Sequence, residues 1–411
     1  MTKVHERFLK YVAYDTESDP ESETCPSTAK QLNLAKVLVE EMEAMGLSEV
    51  GMDGNGYVYG TIPSNVPEGN APKLAFIAHM DTSPDLSGAN IKARIVNNYD
   101  GGEIILNAEH DIKMSPEAFD HLAHYVGQDL IVTDGLTLLG ADNKAGIAEI
   151  LTMAETLINH PEIKHGPIKI AFTPDEEVGR GANLFDLNRL DADFGYTVDG
   201  GELGEVEYEN FNAASAKIKI HGTNIHPGSA KGKMKSAILI AMELHGMLPV
   251  FDNPAFTENY EGFNHLNDIE GSVEETSMLY IIRDHDMKKF EEKKAIFKEI
   301  ERFLNFKYGA GTVNIEIVDS YFNMREKVLP HFHLIETAMT AMKKLGIEPL
   351  VVPVRGGTDG ARLSYMGLPC PNLCTGGHNF HGKFEYIPVQ SMEKTVEILL
   401  EVVTAYSNWK A

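Results

Sequence analysis

At 411 residues, 43% hydrophobic and 24% charged, the chain is globular, long enough for two cores rather than one, and not a composition for extensive disorder. Its 61 acidic residues against 36 Lys and Arg give a formal net charge of -25, which opposes binding to nucleic acid or an anionic membrane surface. Three cysteines, Cys25, Cys370 and Cys374, are too few for a disulfide framework and read as reduced thiols.

The first residues, MTKVHERFLKYV, read as an amphipathic helix followed by an acidic turn, with no apolar leader segment. No run approaches the roughly 18 apolar residues of a membrane span, so the cytoplasm is the expected address. The next segment, PSTAKQLNLAKVLVEEMEAMGL, predicts a helix starting at Pro26 and Ser27 with Leu32, Ala35, Val39 and Met42 on one face. Strands are predicted at YVYGTIP, KLAFIAHMD, DLIVTD, IKIAFTP and FGYTVDG, with a long helix, NKAGIAEILTMAETLI, after the third. Such short, nearly continuous apolar runs suit a sheet covered on both faces.

From about Glu209 the texture changes to alternating strands and amphipathic helices: NAASAKIKIHG, KSAILIAMELHGML, SVEETSMLYIIRDHD, KKFEEKKAIFKEIERFLNFKYG and TVNIEIVDSYFN. This order suits a ferredoxin-like split βαβ arrangement. From Met324 the buried style resumes, through LIETAMTAMKKLG, PLVVPV and CPNLC to a terminal helix ending at Trp409. The expected fold is therefore α/β: a mixed, largely parallel sheet with helices on both faces in a discontinuous domain of residues 1–208 and 323–411. An α+β domain of residues 209–322 interrupts it.

Chemistry collects where these strands end. His79 and Asp81 in FIAHMDTS are two apart, so on a strand both side chains point the same way; a turn pair is the plain alternative. Asp142 in GADNKAG precedes a helix and reads equally as an N-cap, a role Asn143 can share. TPDEEVGRG crowds Asp175, Glu176 and Glu177 before a lone Arg180. Asp199 in YTVDGG reads equally as a tight turn, and His378 and His381 in GGHNFHGKFEYIP as loop histidines. Together, five strand or loop ends finish in Asp, Glu or His, and open α/β sheets place active sites at the carboxyl ends of strands. Histidines and carboxylates without clustered thiols suit zinc, cobalt or manganese. A two-metal hydrolase is the synthesis of these signals.

The set HMDTS, GADNKAG, TPDEEVGRG, VDGG and GGHNFHGKFE, in this order around an inserted domain, resembles the dizinc metallopeptidase family that includes carboxypeptidase G and aminoacylase. PSTAKQ, NIHPGSAKGKM, YIIRDHD and RGGTDGARLS extend the similarity over essentially the whole chain, toward the aminotripeptidase branch. The resemblance implies two divalent ions, most readily zinc, bridged by Asp142. His79 and Asp199 would complete one site, Glu177 and His381 the other. Asp81 would orient His79, and Glu176 would be the general base acting on a hydroxide between the ions. It further implies that the inserted domain serves as lid and dimerisation domain of a homodimer, with His226 stabilising the oxyanion, in relatives across the interface. Asp175 receives no role.

Arg283 and Arg355 are candidates to hold the free carboxylate of a short peptide, since guanidinium suits paired carboxylate binding. The alternative is a structural ion pair, for Arg283 with Asp284 or Asp286. The expected activity is removal of the N-terminal residue from tripeptides. A related dipeptidase or N-acyl-amino-acid amidohydrolase, and a catalytically silent peptide-binding protein, are the competing readings.

Overall fold

The computed structural model describes residues 1–67, 69 and 71–409. The chain divides into two compact units, one of residues 1–208, 326–352 and 358–411, the other of residues 209–325 and 353–357. Segment 353–357, which carries Arg355, thus joins the second unit, although the sequence pattern left it in the first.

The first unit is built on eight strands: β1 Ser48–Met52, β2 Val58–Ile62, β3 Leu74–His79, β4 Ile168–Thr173, β5 Phe194–Gly200, β6 Glu205–Glu207, β7 Leu350–Val351 and β8 Asn372–Cys374. Their order is β1-β2-β4-β3-β5-β8-β6-β7. The four central strands β4, β3, β5 and β8 run parallel, which requires crossover connections. Strands β1 and β2 close one side in antiparallel fashion.

Every residue of β2, β3 and β4 is buried, because both faces are covered. Ala75 and Ile77 of β3 pack with Leu363 of helix Asp359–Met366, while Phe76 between them points to the other face and stacks on Tyr196 at 6.0 Å. Helix Ala141–Asn159 lies on β3 and β5, with helices Val4–Val12 and Val389–Tyr406 against it.

Four expectations need correction. The second helix starts at Gln31, not at Pro26; residues 24–30 form bends and a turn, with the backbone N–H of Ser27 bound by the Asp175 carboxylate. Its buried face is Gln31, Leu34, Ala35, Leu38 and Met42, so Leu34 and Leu38 replace Leu32 and Val39. The DLIVTD strand, Leu130–Val132, lies outside the main sheet, between Tyr386–Pro388 and Arg94–Val96 in a three-stranded sheet. The terminal helix stops at Tyr406.

The second unit is a four-stranded antiparallel sheet in the order Phe263–Gly271, Glu275–Asp284, Asn212–His221, Val313–Tyr321, the ferredoxin-like pattern. The strand Phe263–Gly271 is the one the sequence pattern did not single out. It is an edge strand exposed over its last residues, so little apolar alternation marks it. Helices Ala237–Gly246 and Met287–Tyr308 start at Ser236 and Asp286, whose side chains accept the N–H groups of Leu239 and Lys289. Their apolar faces, including Ile240, Leu244, Phe290 and Phe297, form one core with Ile218, Tyr280 and Ile282 of the sheet.

Candidate metal and catalytic site

Strand register places the first histidine. His79, the last residue of β3, is level with Thr173, the last of β4, and Ile77 is level with Thr197 of β5. Two residues further along β5 stands Asp199, on the same face as Thr197. His79 Nε2 is accordingly 3.3 Å from Asp199 Oδ1 and 2.8 Å from Asp142 Oδ1. Its Nδ1 lies 3.0 Å from the Asp81 carbonyl and 3.3 Å from Asp81 Oδ1.

The second histidine comes from a loop. His381 Nε2 is 3.2 Å from Asp142 Oδ2 and 3.0 Å from Glu177 Oε2. Asp142 therefore offers one oxygen to each imidazole. Among the described residues, His79, Asp142 and Glu177 present ligand atoms that all lie within 4.8 Å of one another.

Local chemistry frees these groups. Asn143, not Asp142, caps the helix, its Oδ1 accepting from Gly146 N at 3.2 Å. Asp142 has extended backbone, φ -83° and ψ 103°, and spends its carboxylate on the histidines. Asp81 accepts the N–H groups of Glu176 at 3.0 Å and Glu177 at 3.1 Å, fixing the loop beyond β4. Asp175, in left-handed backbone with φ 59°, turns away from its neighbours to accept from Ser27 N and from Gln31 Nε2 at 2.7 Å. Arg180 of the same loop donates to the carbonyls of Asp19 and Ser22.

The electrostatics show a shortage of positive charge. Burial raises the carboxyl of Glu176 well above its ordinary range, with nearby Asp199, Asp359 and Glu177 adding to the effect. Burial and Asp142 push Glu177 up to about 8. Burial opposes ionisation of Asp142, but its hydrogen bonds to His381 and His79 outweigh this and hold it below the usual range. Hydrogen bonds that its imidazole donates to Asp142 and Glu177 raise His381 to about 11. Glu177 Oε1 is buried without a hydrogen-bond partner among the described residues. Crowded acids, two imidazoles and an orphaned carboxylate oxygen are a donor set that a divalent cation would satisfy.

Two carboxylates had no signal in the sequence. Glu385 is buried and accepts four successive main-chain N–H groups, from Leu139 to Asp142. Asp359, in RGGTDGARLS, is buried with Oδ2 on Thr173 Oγ1 at 2.7 Å, and burial pushes it to about 7. Both lie in stretches singled out above, but no spacing marks an acid whose partners are more than 180 residues away.

His378 takes the plain reading: it is buried, with Nε2 2.6 Å from Tyr125 Oη and its ring stacked against those of His121 and Tyr386. The three cysteines are free thiols. In the second unit, His226 is exposed, its Nδ1 accepting from Gly228 N. Arg283 donates to the carbonyls of Ala214 and Ile282, and Arg355 to those of Thr257, Asn259 and Glu261. The acids next to Arg283 have other partners: Asp284 faces Lys293 at 3.8 Å, and Asp286 caps a helix. Among the described residues no helix is long and apolar enough to cross a membrane.

Residues 134–405 match the model of peptidase family M20/M25/M40. Curated relatives named peptidase T are 60% identical in Caldanaerobacter subterraneus subsp. tengcongensis, over 99% of this chain and all of that one, and 59% identical in Alkaliphilus oremlandii over the same shares. The crystal structure of aminopeptidase PepT from Bacillus cereus, 26% identical, superposes with a TM-score of 0.76 over 98% of this chain and 97% of that one. Similarity at this level over the full length means that the chain belongs to peptidase family M20/M25/M40 and, within it, to the peptidase T group.

Proposed function

We propose that the chain is a metal-dependent aminopeptidase that releases the N-terminal residue from tripeptides. One observation carries the reading: Asp142 is shared by His79 and His381 at the carboxyl ends of parallel strands, with Glu176 fastened beside them. The names peptidase T and aminopeptidase PepT, borne by relatives over their whole length, supply the class of substrate.

Two divalent ions would share Asp142, with His79 and Asp199 on one and Glu177 and His381 on the other. Zinc suits these donors best, and cobalt or manganese would also fit. When bound, the ions supply Lewis acidity toward the peptide carbonyl and toward water. The rest falls to the chain. Asp81 holds the imidazole of His79 through Nδ1, so that Nε2 faces the cluster. Asp81 also fixes the main chain of Glu176. Burial gives the Glu176 carboxylate the proton affinity of a base that takes a proton from water and hands it to the leaving amine.

The second unit would be the lid and dimerisation domain of a cytoplasmic homodimer, with His226 as a donor to the oxyanion. Arg283 and Arg355 would hold the substrate carboxylate. Among the described residues neither is ion-paired, and each donates to neutral carbonyls, which leaves its charge for an anion.

The test is a panel of di-, tri- and tetrapeptides, free and N-acetylated, run with metal analysis on the same sample. Tripeptides with a free amine should be cleaved fastest, with two metal equivalents per chain. Preference for acetylated substrates would overturn the reading in favour of an amidohydrolase, and preference for dipeptides in favour of a dipeptidase. Metal without turnover would point to a binding protein.

A further inference from the structure

We infer that Glu385 is a positioning residue that sets the separation of Asp142 and His381, and hence the affinity of the site for its second metal ion. The inference rests on the function proposed above.

Glu385 lies four residues after His381 in the same loop and is 1% exposed. Its Oε2 accepts from Leu139 N at 2.6 Å and Gly140 N at 2.9 Å, and its Oε1 from Ala141 N at 2.7 Å and Asp142 N at 3.2 Å. One carboxylate thus grips the whole segment that presents Asp142. A helix start needs partners for its first N–H groups, but chains normally find them locally in Ser, Thr, Asp or Asn. Asn143 already provides such a cap here. What a glutamate from 243 residues away adds is a tie between two loops that the sheet does not register.

The loop at the other end of the tie needs one. Asn379 and His381 both have left-handed backbone, φ 56° and 61°, a conformation that survives in non-glycine residues only when the surroundings enforce it. His381 is 42% exposed, so packing contributes little to its placement. The loop is closed by reciprocal main-chain bonds, His378 N to Tyr386 O at 2.9 Å and Tyr386 N to His378 O at 3.1 Å. Glu385 sits at that closure and carries its position to Asp142. Without the grip, the Asp142 and His381 donors would each remain but would meet less often at the required distance.

Glu385→Gln is nearly isosteric, yet it turns an NH2 group toward two of the four N–H donors. We expect zinc affinity at the weaker site, measured by chelator competition on the purified full-length protein, to fall about 10- to 100-fold. Two zinc equivalents, and kcat to within several-fold, should return at saturating zinc. A merely structural Glu385 would lower the melting temperature of the metal-free protein and leave both zinc affinities as in the wild type. That result overturns the inference. Glu385→Asp, which keeps the charge and shortens the reach, carries the same expectation if the first variant does not fold. Wild-type protein binding fewer than two zinc ions would overturn the function beneath both. A two-zinc wild type with unaltered variants overturns the role of Glu385 alone.

Discussion

The candidate site has two halves that are held by different means. His79, Asp81 and Asp199 stand at or just beyond strand ends, and the hydrogen-bond ladder of β4, β3 and β5 sets their relative height. Asp142, Glu177 and His381 stand on loops, and buried carboxylates that accept main-chain N–H groups hold two of these loops: Asp81 the Glu177 loop, Glu385 the Asp142 loop. Asp175 does the same for Ser27. Position at a strand end follows from the sheet itself, whereas position on a loop requires a dedicated acid. This is why the site holds more buried acids than its chemistry uses, and part of why a metal is needed to balance them.

The largest expected effect lies outside both halves. Glu176→Gln removes the proton acceptor while leaving every proposed metal donor in place. Turnover of a tripeptide should fall about 10³-fold, within the range for loss of a general base, while metal content by elemental analysis stays at two per chain. Activity within tenfold of wild type would mean that the base is elsewhere.

The two halves themselves separate in a pair of variants. His79 is 2% exposed and lies against Asp81, Asp142 and Asp199, so His79→Ala leaves buried carboxylates without their partner. The metal-free protein should lose about 3–5 kcal/mol of stability by urea denaturation, as for other buried charge clusters broken on one side. His381→Ala should cost less of that stability, because solvent screens a side chain that is 42% exposed, and should weaken zinc binding. Equal stability losses would erase the distinction between strand-held and loop-held ligands.

The sequence made the strand-held half easier to read than the loop-held half, for the same physical reason. A continuous apolar run ending in His or Asp, as in KLAFIAHMD and FGYTVDG, states both a strand and what lies at its tip. Residue spacing along a strand then gives direction. Loop geometry is set by distant partners, so the pattern around GGHNFHGKFEYIP showed two histidines alike, although His378 is buried in a ring stack and His381 faces Glu177. For the same reason Glu385 and Asp359 carried no signal, and Asp175 showed its three-acid crowding but not its bond to Ser27. The DLIVTD run was legible as a strand, but its sheet was not, because apolar runs do not name their neighbours. The edge strand Phe263–Gly271 faces water over most of its length and lost the alternation that marked its partners.

These two histidines, three residues apart, also set the smallest expected effect. His378 is buried, and burial together with His121 and His124 holds its imidazole down at about 3, against about 6.5 unfolded. The unfolded chain therefore takes up this proton first as the pH falls. The contribution of neutral His378 is complete above about pH 6.5 and is lost progressively between there and about pH 3, amounting to about 2 kcal/mol by pH 5. His381 has the opposite sign in the metal-free protein: raised to about 11 by Asp142 and Glu177, it contributes fully below about pH 6.5 and loses that contribution as the pH rises. His378→Gln keeps an acceptor for Tyr125 Oη and removes the titration. Urea denaturation of the metal-free protein at pH 7 and pH 5 should show the variant losing about 2 kcal/mol less than wild type on acidification. Identical losses would show that His378 titrates as freely as an exposed histidine, and that the ring stack does not separate it from the histidine that faces the metal site.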